Sequence, residues 1–144
     1  MAFNAVSNLI SGKPPVAPPK DNYPFEVDET TMSAGQVAYL SNGLLKHGTD
    51  DRDTCAVIVL EDGEDGDDVQ CEWILPGTVY KTTVNEGTAS SIVLGDSYEI
   101  SSDYLGVNQG ASGPLTVIRQ DPNNDDIVWV VFNSCLLVGS DKRT

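Results

Sequence analysis

The stretch from Cys55 to Leu75, which reads CAVIVLEDGEDGDDVQCEWIL, decides the fold class of this chain. Residues 55–60 form a continuous apolar run, which is typical of a buried β-strand. Residues 69–75 alternate instead, which is typical of a strand with one buried face, and that face holds Val69, Cys71, Trp73 and Leu75. The acidic residues 61–68 connect the two runs and contain two glycines. The stretch therefore predicts an antiparallel β-hairpin with an acidic tip.

Similar short runs recur along the rest of the chain, and turn signals such as Asn42-Gly43 and Pro76-Gly77 separate them. The connections are too short for parallel crossovers, so the pairing is expected to be mainly antiparallel. The sequence predicts an all-β fold, a small antiparallel barrel or sandwich, and leaves the choice between these two open. The expected strands are residues 36–40, 55–60, 69–75, 78–84, 92–94, 98–100, 115–120, 127–132 and 135–138.

An extended, proline-rich N-terminal arm is predicted ahead of this β domain. Five of the eight prolines lie before residue 25, and proline fixes φ and has no N–H to donate. The expected organisation is an arm at residues 1–30, a β domain at residues 31–139 and a C-terminal tail at residues 140–144. Because the arm shows no periodic strand, the β domain is expected to fold without residues 1–24.

The side chains of the arm are its candidate contacts with a partner. Residues 1–12 are expected to form one short amphipathic helical turn, and residues 25–27 alternate like an edge strand. A structural arm, a disordered linker and a polyproline II ligand for an SH3-type groove all stay open as interpretations of the KPPVAPPK segment. The candidate anchors are Phe3, Val6, Leu9, Ile10, Pro14, Pro15, Val16, Pro18, Pro19, Tyr23 and Phe25.

The chain is strongly acidic, with 22 acidic against 8 basic residues and a net charge of −14. Such a surface repels phosphate backbones and anionic lipids, so nucleic-acid and membrane partners are not expected. Residues 1–10 lack the basic region of a secretory signal peptide, and polar residues interrupt their apolar stretch, so no signal peptide is expected. No apolar run is long enough to span a bilayer. The protein is therefore expected to be made and assembled in a cytoplasm.

The residues that commonly carry chemistry are sparse. The sole histidine, His47, is expected to be exposed in a polar loop without a nucleophile beside it. The acidic tip and the Asp121-x-Asn123-x-Asp125 turn offer oxygen ligands, but neither has the spacing of a calcium loop. Hairpin tips are the preferred interpretation, with weak Ca²⁺ or Mg²⁺ binding as the alternative. We expect no enzyme and no cofactor.

The three cysteines, Cys55, Cys71 and Cys135, do not form a disulfide framework. Cys55 and Cys71 lie in apolar runs and are interpreted as small buried hydrophobic residues. A bridge between them across the hairpin stays open. The sequence contains no cluster of Cys and His residues, so a zinc site is not expected.

Three stretches carry a resemblance to a known family: residues 33–43 (SAGQVAYLSNG), 75–80 (LPGTVY) and 94–100 (LGDSYEI). Short strands that open with glycine and recurring Gly-x-x-Tyr turns, behind a proline-rich arm, make the chain resemble the capsid decoration (cement) proteins of tailed bacteriophages. The resemblance extends over about residues 30–138.

The resemblance implies a structural protein of the virion, on the outer surface of the capsid, assembled in the host cytoplasm. Its partners would be the major capsid protein and copies of itself, as a homotrimer, with the arm contributing to docking or to trimer contacts. A tail or baseplate component is one alternative. Another is a β-sandwich module that binds glycans, which would need exposed aromatic rings, whereas Trp73 and Trp129 are expected in the core.

Overall fold

The computed structural model describes residues 2–9, 24–47, 57–75 and 77–133. The only helical element in these ranges is a short 3₁₀ turn, Ala89–Ser91. The all-β class predicted from the sequence is confirmed. The described strands are β1 (Asn4–Asn8), β2 (Pro24–Glu26), β3 (Thr31–Met32), β4 (Val37–Ser41), β5 (Leu44–His47), β6 (Val57–Val59), β7 (Gly63–Glu64), β8 (Asp68–Trp73), β9 (Thr78–Glu86), β10 (Ser97–Ile100), β11 (Val107–Asn108), β12 (Leu115–Asp121) and β13 (Asn124–Phe132).

Six strands form the larger sheet, in the order β1-β9-β11-β10-β12-β13. Strand β13 also pairs with β9, so the path β9-β11-β10-β12-β13 returns to its start. Strand β1 joins this ring along the first half of β9, where Asn4 lies opposite Lys81 and Asn8 opposite Thr78. All of these pairings are antiparallel except that of β11 with β9.

Five strands form the second sheet, in the order β2-β8-β6-β4-β5. A parallel bridge between Val27 and Leu45 connects its two ends. The predicted hairpin is confirmed where it is described, because β6 and β8 pair antiparallel with Val59 opposite Cys71. The turn at Asn42-Gly43 is also confirmed, since both residues take positive φ, 53° and 81°, as a two-residue hairpin loop of the primed type requires.

The two sheets pack in a sandwich-like arrangement with two hydrophobic cores. Strands β4 and β6 contribute to both cores, because successive side chains of a strand point to opposite faces. Val37 and Ile58 belong to the first core, which the larger sheet surrounds. Ala38 and Val57 belong to the second core, inside the smaller sheet. Both faces of β6 are therefore buried, which explains why all three of its residues, Val57–Val59, are apolar.

The N-terminal residues correct two predictions. The helical turn expected over residues 1–12 is wrong, because Asn4–Asn8 form β1 on the edge of β9. One isolated turn has little stability of its own, whereas the sheet edge offers backbone partners. Residue Phe3, at 3% exposure, packs in the first core. Within the predicted arm, β1 thus pairs with β9 and β2 pairs with β8. The edge strand expected at residues 25–27 is present as β2, followed by the buried Val27.

Two other strand predictions need correction. Residues 92–94 do not form a strand, because local hydrogen bonds from Ile92 N–H to the Ala89 carbonyl and from Asp96 N–H to the Val93 carbonyl turn the chain there. Strand β8 ends at Trp73, so Ile74 enters the first core and Leu75 is exposed, against the expected alternation. The expected strand at residues 135–138 and the tail at 140–144 lie outside the described residues.

Candidate interaction surfaces

The predicted arm anchors that the structure describes fall into three groups. Phe3 is buried between the rings of Tyr80 and Phe132, at centroid distances of 6.3 and 5.5 Å, so it stabilises the domain and is not a surface contact. Phe25 is half-buried and packs edge-on against Trp73. Val6 and Leu9 are exposed. The remaining anchors, Ile10, Pro14, Pro15, Val16, Pro18, Pro19 and Tyr23, lie outside the described residues.

Val6, Leu9 and Leu75 are exposed large apolar side chains, with exposed fractions of 42, 62 and 47%, and we call them together the N-terminal apolar patch. Val6 is the extra residue of a bulge in β1, which shifts the register with β9 between Ala5 and Ser7. The backbone N–H of Leu9 donates to the carbonyl of Gly77 at 2.7 Å. This bond places Leu9 beside the turn that follows Leu75.

The turn under this patch is well defined. Thr78 N–H donates to the Leu75 carbonyl at 3.2 Å, and Gly77 takes a φ of 80°, which the predicted type II turn requires of its third residue. The side-chain amide of Asn8 donates to the Thr78 hydroxyl at 3.0 Å. The end of β1 is therefore held on the edge of β9, while its large apolar side chains face away from the core.

A second surface, which we call the basic-aromatic patch, consists of Lys81, Arg119 and Trp129. Lys81 on β9 and Arg119 on β12 are the two cross-strand neighbours of Trp129 on β13. The Arg119 guanidinium carbon lies 4.5 Å and the Lys81 ammonium 5.4 Å from the ring centroid. Both distances are within the range of cation–π attraction. Two of the chain's few basic residues thus share one aromatic ring.

The bulge at Ile118 creates this alignment. Val117 pairs with Val130, and Arg119, rather than Ile118, pairs with Trp129. Without the extra residue, an apolar side chain would lie next to the indole. The prediction that Trp129 is a core residue is therefore wrong: its neighbours Val128 and Val130 point into the first core, and Trp129 points outward between two cations.

The other tryptophan, Trp73, is half-buried and packs against the second core, as expected. Its ring meets that of Phe25 edge-on at a centroid distance of 5.8 Å. Neither tryptophan in the described ranges is a bare aromatic platform, since Arg119 lies over Trp129. Stacking on such a platform is what the glycan-binding alternative requires.

His47 connects the two halves of the molecule instead of lying exposed in a loop. It is the last residue of β5, its side chain is only 20% exposed, and its ring stacks on Tyr104 at 4.3 Å. Nε2 lies 3.2 Å from Gln36 Oε1 and Nδ1 lies 3.9 Å from a Glu29 oxygen. Desolvation lowers the pKa of His47, and Glu29 opposes that shift.

The acidic tip at residues 61–68 is a compact hairpin, as preferred from the sequence. Glu61, Asp62 and Asp67 each accept a backbone N–H, from Gln70, Ala34 and Glu64 respectively. In the second acidic turn, Asp121 accepts the N–H of Asn123 at 2.8 Å. Within the described ranges, no group of three or more His, Cys, Asp or Glu side chains is arranged to hold a metal ion.

Cys71 is a free thiol at 1% exposure in the second core. Desolvation, with a smaller contribution from Glu61, raises its pKa to about 12. The thiolate is the reactive form of cysteine, so Cys71 acts as a small hydrophobic residue. Cys55 and Cys135 lie outside the described residues.

Comparisons with known proteins do not assign this chain to a family. No protein-family model matches the sequence, and a search of curated proteins finds no similar chain. In the part of the chain that the structure describes, no helix has the length and apolarity needed to cross a membrane.

Proposed function

We propose that the protein is a decoration protein that binds the outer surface of a phage capsid and stabilises it. In this proposal it is a structural component without catalytic activity or cofactor, it assembles in the host cytoplasm, and it resides on the virion exterior. Its partners are the major capsid protein and further copies of itself, as a homotrimer. The N-terminal apolar patch is the observation that carries the proposal.

That patch has the properties of a docking surface. Its three large apolar side chains are each more than two-fifths exposed, although the two cores bury most other side chains of this kind. Complete burial of a leucine or valine contributes about 1.5–3 kcal/mol. A shell presents the same site many times, so a modest energy at each site is sufficient. In the sequence, Leu9 also comes shortly before the proline-rich residues 13–19, where a preset extended backbone would lower the ordering cost of docking.

The charge of the chain favours the outside of the shell over its inside. A net charge of −14 repels the phosphate backbone of packaged DNA. The same charge suits a basic patch on an outer protein surface, and it keeps an abundant protein soluble before assembly. The covered state of Trp129 gives no support to the glycan-binding alternative.

The decisive test is the binding of the purified full-length chain to expanded, empty capsids of the virus that encodes it, with Leu9→Asp as the variant. Loss of leucine burial and desolvation of the new carboxylate are expected to weaken binding by about tenfold or more. Leu94→Asp is the matched control, because Leu94 is 58% exposed and lies in the turn before β10. Equal loss in both variants would contradict the role of the patch.

Copy number separates this proposal from the tail or baseplate alternative. We expect quantitative mass spectrometry of purified particles to find the chain in hundreds of copies, at a fixed ratio to the major capsid protein. A handful of copies would favour a tail or baseplate component, and absence from particles would reject a virion role.

A further inference from the structure

We propose that the basic-aromatic patch of one copy binds the acidic tip, residues 61–68, of a second copy of this chain. The inference goes beyond the proposed function, because it concerns contacts between copies and holds whether or not the chain binds a capsid. It rests on three observations: the patch has no ion pair with a described residue, three carboxylates of the tip have no partner among the described residues, and the two surfaces are separated within one chain.

The patch concentrates basic charge that forms no ion pair with a described residue. Of the basic residues in the described ranges, Lys46 forms an ion pair with Asp28 at 2.9 Å. Neither Lys81 nor Arg119 has a carboxylate oxygen of a described residue within 4.0 Å. The two cations instead share the ring of Trp129, and an anion bound between them would further reduce their mutual repulsion.

The geometry of the patch is suited to a carboxylate. A guanidinium that lies over an aromatic ring keeps its N–H donors free around its edge, and these donors match the two oxygens of a carboxylate. The acidic turn at the end of the same hairpin does not fill this role, since no oxygen of Asp121 lies within 4.0 Å of a nitrogen of Arg119 or Lys81. The indole also excludes water from one side of the cations, which strengthens an ion pair formed there.

The acidic tip offers the complementary groups in a rigid form. Asp67 N–H donates to the Glu64 carbonyl and Gly66 N–H to the Val27 carbonyl, both at 2.9 Å, so the turn is fixed to the second sheet. The carboxylates of Glu64, Asp65 and Asp68 are exposed and form no hydrogen bond or ion pair with described residues. A preorganised loop loses little entropy when it docks.

The two surfaces lie on different sheets, and the structure brings no residue of the tip to the patch of the same chain. The patch belongs to β9, β12 and β13 of the larger sheet, whereas the tip lies between β6 and β8 of the second sheet. A contact between the patch of one copy and the tip of the next is heterologous, and such contacts close into rings when the rotation allows. Three such contacts in a closed ring would give the proposed homotrimer.

Sedimentation equilibrium of the full chain tests this contact directly. We expect reversible self-association that weakens between about 0.05 and about 0.5 M salt, because salt screens exposed ion pairs. Arg119→Glu and, separately, Asp65→Lys are each expected to weaken the association constant by about tenfold or more, since each places like charges together. Lys81→Glu serves as a second patch variant, and circular dichroism confirms that each variant is folded.

Mixing the two variants gives the sharpest result. In a mixture of Arg119→Glu with Asp65→Lys, each contact between unlike variants pairs opposite charges, so pairwise association of the two variants is expected to return. A mixed ring of three keeps one repulsive contact between like variants, so recovery is read from the mixed pair. Asp96→Lys is the matched control for Asp65→Lys, because both aspartates are exposed next to a glycine with φ near 90°. The proposal would be overturned if the wild-type chain were monomeric, or if neither charge reversal changed the association constant. It would also be overturned if the mixture showed no recovery of association, or if Asp96→Lys weakened association as much as Asp65→Lys. Capsid binding is not the readout, so such a failure leaves the proposed capsid binding standing. A monomeric wild-type chain would also contradict the proposed homotrimer.

Discussion

The two cores of this protein differ in how much of the chain each one needs. The second core draws its buried residues from one continuous part of the sequence, Val27 to Cys71. The first core combines Phe3 at the N-terminus with residues as distant as Val130, and it contains the buried aromatic rings. The second core is therefore built from the chain between β2 and β8, whereas the first core also needs the N-terminal residues that pair with β9.

The largest effect that would test this difference is expected from Phe3→Ala. Truncation of a buried phenylalanine removes its contacts with Tyr80 and Phe132 and leaves a cavity, so the free energy of unfolding should fall by about 3–5 kcal/mol. Urea denaturation measures this change. Hydrogen exchange should rise more in β9 and β13 than in β6 and β8. The core side chains of β9 and β13 belong to the first core with Phe3, whereas β6 and β8 contribute to the second core.

Val6→Ala is the control for Phe3→Ala, since it changes an exposed side chain of the same strand. Its effect on stability should be small. If Phe3→Ala also changed stability by less than about 1 kcal/mol, the N-terminal segment would not be part of the domain, and the deletion of residues 1–24 would be tolerated as the sequence suggested.

This difference also explains what the sequence could predict. The β6–β8 hairpin was predictable because its pattern is local: a continuous apolar run, an acidic turn and an alternating run. The burial of Phe3 was not, because it depends on the edge of β9, far along the chain. The outward position of Trp129 had a usable signal, since Val128 and Val130 already satisfy the inward face. The approach of Arg119 had none, because it needs the bulge at Ile118.

A smaller effect, of opposite sign, is expected from Tyr80→Phe in the first core. The Tyr80 hydroxyl is buried without a hydrogen-bond partner among the described residues, and desolvation, with a contribution from Glu72, raises its pKa. An unsatisfied buried polar group costs about 1–3 kcal/mol. Removal of the hydroxyl should therefore raise the free energy of unfolding by about 1 kcal/mol, measured in urea.

Tyr98→Phe is the matched control, because the Tyr98 hydroxyl accepts the backbone N–H of Val93 at 2.9 Å. Its removal leaves that donor without its partner and should lower stability by about 1 kcal/mol. Opposite signs for the two tyrosines are the expected result. A loss of stability in both variants would mean that the Tyr80 hydroxyl is satisfied in solution.

The smallest effect concerns the contact between the halves, where His47 of the second sheet stacks on Tyr104. Desolvation lowers the pKa of His47 from its ordinary 6.5, although Glu29 opposes the shift. A depressed histidine pKa means that the unfolded chain binds a proton first, so stability is complete above about pH 6.5 and falls as the pH drops from there toward the folded pKa.

Because His47 is the sole histidine, one NMR titration measures its pKa without ambiguity. Glu29→Gln should lower that pKa further by removing the opposing carboxylate. A measured pKa above 6.5 would mean that Glu29, and not burial, controls this contact.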